Sequence, residues 1–258
     1  MIRARKRFGQ HFLHDPAVLQ RIARSVNPRP EERLLEIGPG TGALTAHLLG
    51  MASHMDAIEI DRDLAAGLRS RWPDRLTLHE ADALDFDYAS LARTRGGPLR
   101  VVGNLPYNIS TPLLFRLLEQ VDHIVDLHVM LQREVIDRMA AAPGSKDYGR
   151  LTVMLAPRLR IEKLFDVGPG AFVPPPRVWS AVARLQVLPQ PKFPLSPAFP
   201  AVVSAAFAQR RKTLRNSLRA LVPDSAYAAT GIDAQWRPEV LAPEQFAALA
   251  ALALPGDV

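Results

Sequence analysis

The sequence predicts an α/β fold in two parts. Residues 1–188 form a mostly parallel sheet with one antiparallel strand and helices on both faces, and residues 189–258 form a small helical domain. Three observations carry this reading. Short apolar segments alternate with segments of helical spacing from about residue 16 to residue 131, the βαβα pattern of a parallel sheet. A glycine-rich turn, Gly38-Pro39-Gly40-Thr41-Gly42, directly follows the first strand of that series. Composition then shifts at Pro189, Pro191, Pro194, Pro197 and Pro200, which reads as a stiff linker, and beyond it the strand pattern stops.

Each element has a local cause. Asp15-Pro16 is an N-cap followed by proline at the first helical position, opening a helix to about Val26. Arg33–Ile37 is a short apolar strand ending at the glycines. A helix over Thr45–Met51 and a strand over Met55–Ile60 follow. Asp61 caps a helix over Arg62–Arg71, with Asp63 in its first turn. Leu76–His79 and Leu99–Gly103 are strands, Pro112–Gln120 a helix and Ile124–Leu131 another strand. Ile161–Val167 and Val178–Val187 form a hairpin-like pair around Pro174, Pro175 and Pro176, which adds an antiparallel strand to the sheet.

Bulk properties narrow the function classes. The chain has 258 residues, 48% of them hydrophobic, enough for one sizeable core and a smaller one. A net charge of +6 suits an anionic partner, nucleic acid first and a membrane surface second. No apolar run approaches the roughly 20 residues of a membrane span. Cysteine is absent, which excludes disulfides and thiolate metal sites and fits a cytoplasmic protein. The seven histidines are scattered, and although His11 and His14 are close, nothing near them completes a metal site. Arg3, Arg5, Lys6 and Arg7 open the chain without the apolar core of a secretory signal. They read as either a solvated tail or an arm that touches RNA.

The densest chemical signal is Glu36-Ile37-Gly38-Pro39-Gly40-Thr41-Gly42. Glycine permits a sharp turn and close approach of backbone to a ligand, and the next helix presents free N–H groups. Gly38, Gly40 and Ala43 also satisfy the dinucleotide fingerprint, with an acid about 20 residues on. Three features favour S-adenosyl-L-methionine instead. Glu36 precedes the glycines, where it can order the loop. The loop is compact, suiting a nucleoside and a methionine tail. Glu59 ends the second strand, placed to accept hydrogen bonds from both ribose hydroxyls, while Asp82 follows the third strand and can accept from the adenine amine. Glu36–Gly42, Glu59 and Asp82 together resemble the Rossmann-like class I methyltransferases.

Gly103-Asn104-Leu105-Pro106-Tyr107 follows the fourth strand, on the side of the sheet where ligands lie in this topology. Methylating an exocyclic adenine amine explains these residue types. The N6 lone pair is delocalised into the ring, so two acceptors aimed at its hydrogens favour the nucleophilic form. The Asn104 side-chain oxygen and the Leu105 carbonyl can supply them, with Pro106 stiffening the loop. Tyr107 can stack on the base and hold the amine in line with the methyl donor. Phe172, before the triple proline, can close on the base's other face.

Arg7–Leu13, Glu36–Gly42, Asn104–Thr111, Tyr148–Leu151, Phe172–Pro176 and Phe207–Leu218 together resemble the rRNA adenine N6-dimethyltransferases, especially the bacterial small-subunit branch linked to kasugamycin sensitivity. The resemblance covers nearly the whole chain. It implies that His11 and Leu13 join Gly38, Glu59, Asp82 and Asn104 around the cofactor. His11 stands where the family pattern leads one to expect asparagine; a backbone contact survives that change, whereas an amide contact does not. The implied substrate is two adjacent adenosines in the 3′-terminal hairpin loop of 16S rRNA within the small ribosomal subunit, with a role in subunit biogenesis. A monomer is expected.

Phe207–Arg219 carries Arg210, Arg211, Lys212, Arg215 and Arg219 with no acid. At helical spacing Phe207, Leu214, Leu218 and Leu221 face inward and the basic residues face outward to phosphate. Three other readings stand beside this one: a nicotinamide-dependent oxidoreductase, a large-subunit rRNA methyltransferase conferring macrolide resistance, and an RNA-binding assembly factor without turnover.

Overall fold

A computed structural model of the chain describes residues 10–209 and 211–254. Its contacts divide the chain into two compact units. The first holds the residues up to Ile136 together with Ile161–Val187; the second holds Asp137–Arg160 and the residues from Leu188 onward.

The first unit is built on a seven-stranded sheet. Its strands are β2 (Leu34–Ile37), β3 (Met55–Glu59), β4 (Leu76–Glu80), β5 (Leu99–Asn104), β6 (Ile124–Gln132), β7 (Leu159–Val167) and β9 (Ser180–Val187), in the spatial order β4-β3-β2-β5-β6-β9-β7. The pairs β3–β4, β2–β3, β2–β5 and β5–β6 are parallel, and β9 runs antiparallel to β6. Every residue of β2 and β3 is buried, as expected of strands covered on both faces. A separate two-stranded sheet pairs β1 (Phe12–Leu13) with β8 (Phe172–Val173).

Local chemistry sets the helices of this unit. In α1 (Pro16–Val26), Asp15 Oδ1 accepts from the N–H groups of Ala17 and Val18, and Leu19, Ile22, Ala23 and Val26 form the buried face. Asn27 ends it in the left-handed conformation. The other helices are α2 (Ala43–Leu49), α3 (Arg62–Arg71), α4 (Tyr88–Thr94) and α5 (Ser110–Glu119). Asp61 caps α3 through the N–H of Asp63. α4, seven residues long, has no counterpart in the sequence reading.

The strand order places the functional loops. The chain runs from β2 outward to β4 and then returns to β5 on the other side of β2. The turns leaving β2 and β5 therefore diverge around a crevice at the carboxyl ends of the strands, the position where α/β sheets bind ligands. Opposite that crevice, Arg100 ties the strand starts together. It donates to both carboxylate oxygens of Asp126 at 2.9 and 3.0 Å, to Glu32 and to the carbonyl of Val26. Burying the guanidinium is tolerable because so many acceptors face it.

The second unit gathers α7 (Arg150–Leu155), α8 (Phe199–Phe207), α9 (Leu214–Leu218), α10 (Asp224–Thr230) and α11 (Pro243–Ala251) around Val153, Phe199, Val202, Leu214, Leu218, Phe246 and Leu249. α6 (Arg133–Met139) spans the division between the units. Two expectations need correction here. The sheet domain is not continuous over 1–188, because Asp137–Arg160 packs with the helical unit; Val153 is fully buried in its core and the Tyr148 hydroxyl donates to the Leu241 carbonyl at 2.7 Å. The proline-rich stretch is also no free linker, since Phe193 packs against that core and the N–H of Lys192 donates to the Pro157 carbonyl.

Candidate active site

A cavity of about 330 Å³ opens at the crevice, within the range that takes a small ligand. Its walls come from the segment before α1, the glycine loop, the ends of β3 and β4, and the loop after β5. His11, Leu13, Glu36, Gly38, Gly40, Glu59, Asp82, Asn104, Leu105, Pro106 and Tyr107 all line it. His11 and Asn104, 93 positions apart, meet where the segment before α1 passes the end of β5.

The glycine loop satisfies its own donors. The N–H of Gly38 donates to the Ile58 carbonyl at 2.9 Å, that of Gly42 to the Pro39 carbonyl at 2.9 Å, and that of Gly40 to Glu59 Oε2 at 3.1 Å. Gly40 sits at φ +58°, and a Cβ there would lie 3.1 Å from the ring of Phe12. Phe12 thus packs on the loop from the neighbouring segment, a contact absent from the sequence reading.

The carboxylates are tightly held. Glu36 is 2% exposed and accepts from the Thr45 hydroxyl at 2.6 Å. Burial pushes its pKa up to about 7, with Glu59 adding to the rise and the Thr45 bond opposing it. Burial also raises the pKa of Glu59, while N–H donors from Asp61 and Gly40 offset part of the rise. One Glu59 oxygen takes each donor, Asp61 N–H at 2.9 Å and Gly40 N–H at 3.1 Å. The carboxylate is therefore fixed in orientation, with the Ile60 N–H as a third backbone donor and acceptor capacity remaining for a ligand. Asp82 Oδ1 accepts from the N–H of Leu84, which leaves Oδ2 as an acceptor. No lysine or arginine lines the cavity among the described residues.

The loop after β5 is anchored at each residue. Leu105 N–H donates to the Met130 carbonyl, extending the strand pairing. The Asn104 side-chain N–H donates to the His11 carbonyl at 2.9 Å, which leaves its oxygen as the acceptor. His11 therefore meets Asn104 through its backbone, a contact indifferent to the histidine-for-asparagine difference. The His11 ring lies 5.5 Å from that of Tyr107, stacked at 27°, and Nδ1 sits 2.8 Å from the Pro174 carbonyl. The Tyr107 hydroxyl is 2.5 Å from Ser180 Oγ, and burial raises its pKa. Nothing local in the sequence marked Ser180 or Thr45, because each reaches its partner only through the fold.

Phe172 departs from expectation. It is 2% exposed, belongs to the core with Leu13, Met130 and Val182, and does not line the cavity. Pairing of Leu13 with Phe172 turns both side chains to the same buried side of the small sheet.

The basic segment also differs. α8 ends at Phe207 and α9 begins at Leu214, so the segment does not form one long helix, and its described residues 208, 209 and 211–213 belong to neither. Leu214 and Leu218 are fully buried, and Arg211 and Lys212 are exposed. Arg215 pairs with Asp224 at 3.2 Å, an acid outside the segment, although both side chains are largely exposed. Arg5, Lys6, Arg7 and Arg210 lie outside the described residues. Among the described residues no cluster of His, Asp and Glu could hold a metal ion, and no helix is long and apolar enough to cross a membrane.

With this geometry in view, residues 1–253 match the family model described as ribosomal RNA adenine dimethylase. The chain belongs to that family. A protein of Acinetobacter baylyi named ribosomal RNA small subunit methyltransferase A is 54% identical over 253 residues, covering 96% of this chain and 91% of that one. A Pseudomonas aeruginosa protein of the same name is 52% identical, with 96% and 94% covered. Among solved structures, a dimethyladenosine transferase from Plasmodium falciparum shares the fold at TM-score 0.74 and 22% identity, over 94% of this chain and 99% of that one. The 23S rRNA methyltransferase ErmE superposes at TM-score 0.69 with 28% identity, over 93% and 98%. The fold is thus that of the class I methyltransferases, and the family chemistry is dimethylation of adenine in ribosomal RNA.

Proposed function

We propose that this enzyme uses S-adenosyl-L-methionine to dimethylate N6 of two adjacent adenosines in the 3′-terminal hairpin loop of 16S rRNA, within the small ribosomal subunit or its precursor. It acts in the cytoplasm as a monomer, contributing to subunit biogenesis. The name carried by the relatives of 50% identity and above supports the small-subunit assignment.

One observation carries the cofactor reading. All three glycine N–H groups are committed within the protein, and the cavity presents Glu36, Glu59 and Asp82 with no lysine or arginine among its described walls. A dinucleotide pyrophosphate would meet carboxylates and no free glycine donor there. A cationic sulfonium with a ribose diol finds acceptors instead. Glu59 fits the diol, Asp82 the adenine amine, and the backbone of His11 and Leu13 the cover over the ligand. When bound, S-adenosyl-L-methionine supplies an electrophilic methyl group.

The chain's own residues prepare the acceptor nitrogen. The Asn104 oxygen and the Leu105 carbonyl accept from the amine hydrogens, so positive charge developing on nitrogen meets oxygen atoms already in place. Asn104 does not swing freely, because its side-chain NH2 donates to the His11 carbonyl. Tyr107 is fixed by Ser180 and by the His11 ring, which leaves its other face for the target adenine. The first transfer leaves one hydrogen on nitrogen, and the second requires the site to accept a methyl where a hydrogen had been.

Calorimetric titration with S-adenosyl-L-methionine and, separately, NAD tests this reading of the cavity. Saturable binding of the first and none of the second is expected; the reverse would overturn it.

A further inference from the structure

The segment from Val173 to Trp179 is exposed except at Pro176 and does not line the cavity, yet it is tied to cavity residues near both ends. The Pro174 carbonyl meets His11 Nδ1 at 2.8 Å. Ser180, next to Trp179, meets the Tyr107 hydroxyl at 2.5 Å. The segment therefore forms part of the cavity mouth. It is unusually apolar for a surface: Val173 is 58%, Val178 40% and Trp179 50% exposed. Solvent-facing tryptophan carries an unfavourable hydration cost unless something covers it.

What covers it is suggested by the neighbouring charge. The Arg133 guanidinium lies 6.0 Å from the Trp179 ring centroid, and the Arg133 N–H donates to the Trp179 carbonyl at 2.9 Å. Arg177, also exposed, is two residues away. The ring rests beside Gly168, where an added Cβ would lie 3.7 Å from Cη2 and Cζ3. A half-exposed indole with the Arg133 guanidinium by its ring, and the exposed Arg177 two residues before it, has the chemistry that takes a nucleobase on a ring and a phosphate on guanidinium groups.

We propose that Trp179 is a stacking platform for the nucleotide next to the target adenosine, with Arg133 and Arg177 on the adjoining phosphates. Trp179 is a positioning residue: it holds the strand so that its neighbour enters the cavity, and it touches no reacting atom. The assignment rests on the reading of the cavity as the adenine methylation site. It replaces Phe172 as the second aromatic contact with RNA, at a flanking base rather than the target.

The test compares the full-length protein with Trp179→Ala and Trp179→Phe. Affinity for a fluorescein-labelled, adenine-rich single-stranded RNA is read directly, beside the KM for small ribosomal subunits, the KM for S-adenosyl-L-methionine and the melting temperature. Loss of one stacked base is expected to weaken RNA binding and raise the subunit KM about tenfold in the alanine protein. The phenylalanine protein should stay within about threefold, with cofactor KM and melting temperature unchanged in both. RNA affinity of Trp179→Ala equal to that of the unsubstituted protein overturns the proposal. An equal loss in Trp179→Phe also overturns it, since a ring is then not what matters. Failure of the unsubstituted protein to methylate small subunits defeats the proposed function instead, and the binding comparison still decides the role of Trp179.

Discussion

Asn104 divides its amide between two tasks, and this division gives the site its directionality. One N–H of its NH2 group donates to the His11 carbonyl, which orients the amide and leaves the oxygen as the acceptor that can address the substrate. Replacing Asn104 with alanine removes the acceptor and unties His11 at once. We expect Asn104→Ala to lower kcat by about 100-fold or more, measured by methyl incorporation at saturating RNA. Near-normal turnover would show that Leu105 alone suffices. Glu36 offers a second test at this scale, through pH. Its folded pKa of about 7 lies above the ordinary value of 4.5, so between those values the native state binds more protons than the unfolded chain. Its contribution is full below pH 4.5 and is lost as pH rises to 7. A shift of that size corresponds to about 3 kcal/mol. Glu36→Gln should therefore flatten the fall in stability between pH 5 and pH 8, measured by denaturant unfolding. An unchanged slope would mean that Glu36 is ionised throughout.

Elements meet at Gly103, the penultimate residue of β5, as closely as backbone allows. A Cβ on Gly103 would stand 2.6 Å from the Ile37 carbonyl oxygen, and backbone cannot yield as a side chain does. Gly103→Ala should then cost about 1–3 kcal/mol and displace the Asn104 loop, seen as a lower melting temperature together with reduced activity. The glycine was visible in the sequence, but its reason was not, because the clash is with a strand far away in the chain. The same distinction runs through the other elements. α1 and α3 could be bounded from Asp15-Pro16 and Asp61 because caps are local. α4 and the six-residue α7 were missed because a turn or two of helix leaves little periodicity. Phe172 was misjudged because its burial comes from pairing with Leu13, far away in sequence. The basic stretch between α8 and α9 presents Arg211 and Lys212 without acids of its own. Reversing both charges should weaken RNA binding and reduce its logarithmic salt slope by roughly 1–2. An unaltered slope would make this stretch an ordinary solvated surface.

At the scale of the whole molecule, the parallel sheet and the ligand crevice were legible from the order of the motifs. Glu59 and Asn104 end their strands, the glycine loop and Asp82 lie just beyond theirs, and strand order brings those ends together. The boundary of the helical unit was only half legible. Composition marked its later part, but Asp137–Arg160 carries no compositional break and joins that unit through Val153 and Tyr148. The two rRNA readings also meet at this scale, because the class I sheet is common to the dimethyladenosine transferase fold and to ErmE. Substrate is what separates them. The decisive measurement is transfer of labelled methyl from S-adenosyl-L-methionine to small ribosomal subunits lacking the modification, with large subunits in parallel and nucleoside analysis of both RNAs. Dimethyladenosine in the small-subunit RNA alone is the predicted result; label in large-subunit RNA, or in neither, would contradict the account.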